Sequence, residues 1–428
     1  MRTLVSIAIV ALAASPASLA FGEDKIDLTT TWYQESRQGG LGGLTVLHPQ
    51  LDIGVDAGEK VSFDLGYSAD AVTGATATVY AVDAVSSATT FDDLRHEGKL
   101  GIGFTGKQSS LGFSGSVGVE RDYLSLSVGG VGTVDLPGKN TNLAIAYNHS
   151  FDEVCDRANT ELTLLERRAL EGSDPCKKKN GVFGEDTFLM DNEALGRVTL
   201  WRDLQIDTLQ GTITQNLSPT MVMQASLYGQ VLEGFQSNPY RRVRIGPNEP
   251  QEHIPDTRAR VALSARLNRF LPKLKSAVHV SARAYADNWG INSGTVELAY
   301  SQYMGDSLLL NVRARAYQQT PATFFKDAFF YETESTAGEY FTGDRELAPV
   351  RNALIGARLT MLSIAEDDKK VWGAFDKLQL NLKAEVLLLD EAAADDPEAN
   401  TGGRATQFLT SDQLLDAFTL QLGILLDY

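Results

Sequence analysis

Phe418-Thr419-Leu420-Gln421-Leu422-Gly423-Ile424-Leu425-Leu426-Asp427-Tyr428 closes the chain and decides how the rest is read. Phe418, Leu420, Leu422, Ile424, Leu426 and Tyr428 share one parity, and Thr419, Gln421, Gly423 and Asp427 occupy the other. Successive side chains of a strand point to opposite faces, so this run predicts a strand with one apolar and one polar face. Leu378, Leu380, Leu382, Ala384 and Val386 alternate in the same way with Gln379, Asn381, Lys383 and Glu385. Val261, Leu263, Ala265 and Leu267 alternate with Arg260, Ala262, Ser264, Arg266 and Asn268. A soluble sandwich has shorter strands and more even connections. The pattern therefore predicts an all-β fold, a transmembrane antiparallel β-barrel with an apolar outer face and a polar lumen.

Connections give the strand number and orientation. Short turns are expected at Gly58-Glu59, Gln108-Ser109, Pro137-Gly138, Ser218-Pro219, Pro272-Lys273 and Gly305-Asp306, with a longer link near residues 366–370. Long polar connections are expected at residues 152–192, 234–256, 319–349 and 390–411. Short periplasmic turns alternating with long extracellular loops, and both chain ends in the periplasm, close at about 16 strands.

The start of the chain reads as an export signal. Arg2 precedes an apolar stretch from Leu4 to Ala14, and Ser18-Leu19-Ala20 is a small-x-small cleavage site before Phe21. That stretch falls short of the roughly 20 apolar residues that span a bilayer as a helix. Two units follow: a signal peptide over residues 1–20 and one barrel domain over residues 21–428. The formal net charge of −17 argues against nucleic acid as a partner, because phosphate binding needs a basic face. Cys155 and Cys176 lie in a polar, charged stretch, and an oxidising compartment lets them pair as a loop staple.

The lumen-facing parity carries unusual charge. Arg258, Arg260, Arg266, Arg283, Arg313 and Arg315 all fall opposite lipid-facing apolar residues, with Tyr285 and Tyr317 on the same parity. Consecutive barrel strands are neighbours, so these side chains are expected to line one wall. Guanidinium groups bind carboxylate and phosphate through paired donors, which makes the six arginines candidates for anion binding. The commoner arrangement is that they pair with inward acids such as Asp287, Glu297 and Glu385 in a polar network.

One motif pair carries possible chemistry. Residues 70–76 read D-A-V-T-G-A-T and residues 83–89 read D-A-V-S-S-A-T. The first resembles in full the acceptor motif D-x-x-[ST]-G-A-T of periplasmic FAD:protein FMN transferases, and the second departs from it at Ser87. In that family FMN is joined through its phosphate to the last threonine, which implies Thr76 and Thr89 as attachment sites, with Asp70 and Asp83 opening each copy. Small residues let an extended segment enter a tight active site, and the threonine hydroxyl must be reachable. The alternative is a structural element with no cofactor. His149, His253 and His279 are scattered in sequence, and no G-x-S-x-G, H-E-x-x-H or P-loop is present.

A wider resemblance rests on Phe91-Asp92-Asp93-Leu94-Arg95, Asn216-Leu217-Ser218-Pro219-Thr220, Ser237-Asn238-Pro239-Tyr240-Arg241, Asp256-Thr257-Arg258-Ala259-Arg260, Tyr285 to Ile291 and Thr295 to Leu298. Together they resemble a family of Gram-negative outer-membrane β-barrels designated a domain of unknown function, and the likeness covers most of the mature chain. It implies outer-membrane lipid and the barrel assembly machinery as partners. It also implies company with flavin-transferase and redox proteins. The final aromatic residue resembles the terminal signal that the assembly machinery reads, with Phe418 and Tyr428 as its residues. Three functions follow as expectations: a conduit or scaffold without catalysis, a redox barrel carrying covalent FMN, and an outer-membrane hydrolase.

Overall fold

The computed structural model describes residues 24–35, 44–75, 90–157, 163–171, 174, 176, 199–243, 245–305, 307–325, 338–364, 371, 374–391 and 415–428. The expected signal peptide at residues 1–20, and Thr76, Asp83 and Thr89, lie outside them.

The strands follow the alternating runs. They are β1 (Lys25–Glu35), β2 (Thr45–Asp56), β3 (Val61–Ala75), β4 (Thr90–Thr105), β5 (Ser109–Val119), β6 (Tyr123–Asp135), β7 (Thr141–Arg157) and β8 (Thr199–Ser218). The second half holds β9 (Met221–Gly234), β10 (Thr257–Leu271), β11 (Ser276–Asp287), β12 (Asn292–Met304), β13 (Leu308–Gln319), β14 (Val350–Ile364), β15 (Lys377–Glu391) and β16 (Leu415–Asp427). Each pairs antiparallel with its sequence neighbours, and β1 pairs with β16 to close the barrel. The closing register sets Trp32 opposite Leu420 and Gln34 opposite Phe418, and the Trp32 and Phe418 rings meet edge-on at 5.9 Å.

Closure satisfies the backbone without water, which is what a bilayer demands. The outer face supplies the other requirement. Leu227, Leu263, Val296 and Ile355 are each more than half exposed and point away from the lumen. In water that much exposed apolar surface would drive aggregation, whereas in lipid it is the solvent-matched face. Among the described residues no helix is long and apolar enough to cross a membrane, and the strands make the crossing. The protein is a 16-stranded barrel of the Gram-negative outer membrane.

The seven connections on the side of the chain ends fall where the sequence places them, at the expected short turns and the longer 365–376 link. The opposite, extracellular side is less uniform than the expected alternation. Besides the long connections, β5 to β6 needs only residues 120–122, and β11 to β12 only residues 288–291. The reason at 288–291 is visible. Asp287 Oδ1 accepts from the backbone N–H groups of Trp289 (3.1 Å) and Ile291 (2.9 Å), which folds the turn tightly.

Candidate functional site

Two constructions occupy the barrel: a charged lumen wall, and a cap folded from the extracellular connections. The wall begins with β10. Its residues at even positions face inward because its odd positions, Val261, Leu263 and Leu267, face lipid. Arg258, Arg260 and Arg266 therefore point into the lumen, as do Arg283 on β11 and Arg313 and Arg315 on β13 by the same alternation. All six arginines share the lumen side. Arg358 on β14 and Lys383 on β15, which the sequence reading did not single out, join them. They lie directly opposite one another in the ladder, a juxtaposition that alternation alone would have revealed once the register was known.

Part of the wall is neutralised. Arg258 Nε and Nη2 donate to Asp287 Oδ2 at 2.9 and 2.5 Å, and Tyr285 donates to the same oxygen at 2.9 Å. Arg313 Nε donates to Glu385 at 2.6 Å, and its Nη1 lies 3.5 Å from Glu297. Lys383 lies 2.8 Å from the other Glu385 oxygen. The three acids expected as partners are thus all engaged, yet they serve only Arg258, Arg313 and Lys383. Arg260 donates to the Gln230 amide oxygen at 3.1 Å, and its Nε has no hydrogen-bond partner. Arg315 Nε is also buried without one. Arg283 lies 6.0 Å from the Tyr228 ring centre. Among the described residues Arg260, Arg266, Arg283, Arg315 and Arg358 have no carboxylate within ion-pair distance.

The cap sits over this wall. Cys155 at the end of β7 is bonded to Cys176, with Cα atoms 5.9 Å apart, so the two cysteines do form a staple. Arg157, buried beside it, donates to Ala169 O and to Asp174 at 2.5 Å. Leu170 N donates to Pro239 O and Gln251 N to Arg167 O, which docks the stapled segment on the β9–β10 connection. His253 and Phe341 exchange both backbone hydrogen bonds, which joins that connection to the one between β13 and β14. Ile254, Trp289, Ile291, Phe325, Leu347 and Val350 form the apolar centre of the cap, with the inward Tyr285 and Tyr317 packed against it. Arg258 stacks over Trp289 at 4.1 Å, and Gln319 Nε2 donates to Glu346 O and Ala348 O, both at 2.7 Å. Lumen-facing residues of β10, β11 and β13 thus hold the cap inside the barrel mouth.

A buried ionic cluster ties the cap together. Arg241 Nη1 contacts Glu252 at 3.3 Å and also Asp344, while Thr342 Oγ1 donates to Glu252 at 2.7 Å. Glu346 lies behind Asp344 with one carboxylate oxygen unpartnered. Burial, reinforced by the Asp344 charge, pushes its pKa up to about 8. Burial also holds the His253 imidazole below its ordinary value, with Nδ1 against Glu339 O at 2.6 Å and the ring stacked on Tyr340.

The remaining candidates scatter. Asp70 lies near the extracellular end of β3, facing the lumen, with Oδ1 2.6 Å from His48 Nδ1. His149 faces outward, where Asp207 Oδ1 approaches its Nδ1 at 2.8 Å and accepts from Tyr147 at 2.5 Å. His279 lies in the lumen between Asn268 and Ser301. The three histidines of the hydrolase expectation do not converge. Tyr428, at the outer face, donates its N–H to Asp24 O.

No curated protein matches the sequence. Among solved structures, a bacterial polysaccharide outer-membrane secretin is similar at a TM-score of 0.47 and 8% identity, covering 95% of this chain and 99% of that one. CdiB from Acinetobacter baumannii gives 0.46 at 10% identity over 94% of this chain and 60% of that one. OccD3 (OpdP) from Pseudomonas aeruginosa gives 0.39 at 8% identity over 95% and 91%. A family model described as "Protein of unknown function (DUF3570)" matches residues 78–362, from before β4 to two residues short of the end of β14. The span holds the whole cap and the arginines of β10, β11, β13 and β14, and the chain belongs to that DUF3570 family.

Proposed function

We propose that this barrel is a non-catalytic conduit for small polar solutes that carry an anionic group, covered at its outer mouth by the folded cap. The observation that carries this reading is the surplus of inward cations on β10 to β14. Arg260, Arg266, Arg283, Arg315 and Arg358 line one wall and lack carboxylate partners among the described residues. Guanidinium groups facing an aqueous bore concentrate anions and offer paired donors to carboxylate or phosphate. A lumen filled only for stability would match its charges, because an uncompensated buried cation costs free energy. The test is ion selectivity in a planar bilayer under a KCl gradient. A reversal potential on the chloride side, moved toward the cation side by Arg283→Gln with Arg315→Gln, is expected. Conduction with no anion preference overturns the role given to the wall.

A second reading is covalent FMN at Thr76 or Thr89. The motif pair favours it, as does the placement of Asp70, which puts the start of the motif at the lumen rim. The segment follows the extracellular end of β3, so a periplasmic transferase would have to act before insertion. Intact mass of the natively expressed protein, compared with a Thr76→Ala, Thr89→Ala variant, tests it. A mass excess of one or two FMN groups absent from the variant supports flavinylation, and an unmodified mass removes it.

A further inference from the structure

The charges of the lumen are sorted by sector. Opposite the arginine wall, β1 to β4 turn carboxylates inward: Asp27, Asp52, Asp64, Asp70 and Glu97. Asp70 is held by His48, and Glu97 by Arg95 (3.2 Å) and Lys99 (3.3 Å). Asp27, Asp52 and Asp64 have no cation within ion-pair distance among the described residues, and one buried Asp64 oxygen has no hydrogen-bond partner. Asp27 and Asp52 are direct cross-strand partners. Asp27 accepts from Thr29 at 3.0 Å and Asp52 from Gln50, and Lys25 shares the inward face of β1, yet like charges directly opposite one another are destabilising.

Between the two charged sectors the middle of the lumen is lined by uncharged polar residues, and the inward charges lie toward the strand ends: Asp135 on β6, Asp152 and Asp156 on β7, Arg202 on β8, and Asp427 on β16 paired with Lys377. On β5 and β6 the inward positions include Gly112, Ser114, Ser116, Ser125 and Ser127, with Ser116 and Ser127 bonded at 2.8 Å. On β8 and β9 they include Thr208, Gln210, Thr212 and Gln224. On the other flank, β16 offers Thr419, Gln421 and Gly423.

Mixing the two sets would have neutralised both. Kept apart across a bore, they set up a field directed from the β10–β14 wall to the β1–β3 wall, strengthened by the low-dielectric barrel around it. We infer that the lumen is electrically two-sided and is matched to small zwitterions, solutes with a carboxylate or phosphate at one end and an ammonium at the other. The anionic end meets Arg266, Arg283 and Arg315, while the cationic end meets Asp27, Asp52 and Asp64. A simple anion of equal size gains at the first wall and is repelled by the second. This inference rests on the conduit reading and specifies its substrate class.

The test uses vesicles holding the full-length mature barrel and loaded with radiolabelled β-alanine or propionate, which share a carbon skeleton and a carboxylate. Efflux of β-alanine is expected to exceed that of propionate by at least about threefold. In Asp27→Asn, Asp52→Asn, Asp64→Asn that ratio is expected to fall toward one. The single Asp64→Asn variant gives an intermediate ratio and covers the case in which the triple variant does not assemble. Equal wild-type efflux of the two solutes through a barrel that conducts chloride overturns the two-sided lumen and leaves the conduit standing. No efflux and no conductance, even from a barrel whose cap has been released, overturns both.

Discussion

Arg313 reaches its carboxylate across an intervening strand. In the ladder it stands opposite Gly356, which stands opposite Glu385, and the missing side chain on β14 opens the path between them. A Cβ at Gly356 would come within 2.8 Å of Glu385 Cγ. Gly356→Ala is therefore expected to break the pair and lower barrel stability by roughly 1–3 kcal/mol, read as an earlier urea midpoint in detergent or bilayer. An unchanged midpoint would mean that the pair is not formed. Which arginines face the lumen was legible from parity alone, because lipid fixes the opposite face. Which of them are neutralised was not. The three expected acids are all used, but register and a glycine gap decide whom they serve, and neither is readable from single strands. Arg358 escaped notice because β14 reads as a weaker alternation, and Lys383, legible on the polar face of β15, was not connected with the wall because its place opposite Arg358 needs the register.

At the scale of elements, the cap is the part that alternation could not announce. It has no period; it is built from long-range contacts between connections, with the Cys155–Cys176 bond and the Trp289 centre as its anchors. The sequence showed a staple and long loops, but not that they fold into the barrel mouth. Gly234 marks where the cap departs from β9. Its φ is +118°, and a Cβ there would stand 2.2 Å from Asp203 O, so only glycine fits. Trp289→Ala removes a buried aromatic and the platform for Arg258, a loss of about 3–5 kcal/mol by precedent. The expected outcome is faster external proteolysis of the cap on an intact barrel, together with larger conductance. Proteolysis at the wild-type rate would show that the cap does not depend on that centre.

The ionic cluster gives the cap a pH dependence whose sign is fixed. Glu346 holds its proton in the docked cap to about pH 8 but releases it in the ordinary glutamate range when undocked. Docking stability from this group is therefore full below that range, declines as pH rises through it to about 8, and is flat beyond. Asp344, Arg241 and Arg258 face the group, and Glu252, which shares Arg241 and Asp344 with it, is raised in the same direction, first by burial and despite Arg241. Protease sensitivity of the cap is expected to increase between pH 6 and about 8.5 in the wild type and to increase less in Glu346→Gln. Equal pH profiles for the two proteins would contradict the assignment.

At the scale of the whole molecule, the barrel was readable because lipid enforces a strict rule. Every spanning strand must alternate, and every end must turn back. The strand number came from counting turns, and only the short extracellular connections at residues 120–122 and 288–291 departed from the expected contrast. Deleting Tyr428 is expected to reduce heat-modifiable, membrane-inserted protein several-fold, since it closes the apolar face of β16 beside the β1 seam. Wild-type insertion of that deletion would dismiss the terminal aromatic as an assembly signal. The most direct measurement of the conduit itself is single-channel recording in a planar bilayer, with the cap intact and with the cap loosened by Trp289→Ala and reduction of Cys155–Cys176. Discrete, anion-preferring steps that grow when the cap is loosened are expected; a barrel that stays electrically silent in both states would contradict the conduit and leave a sealed scaffold.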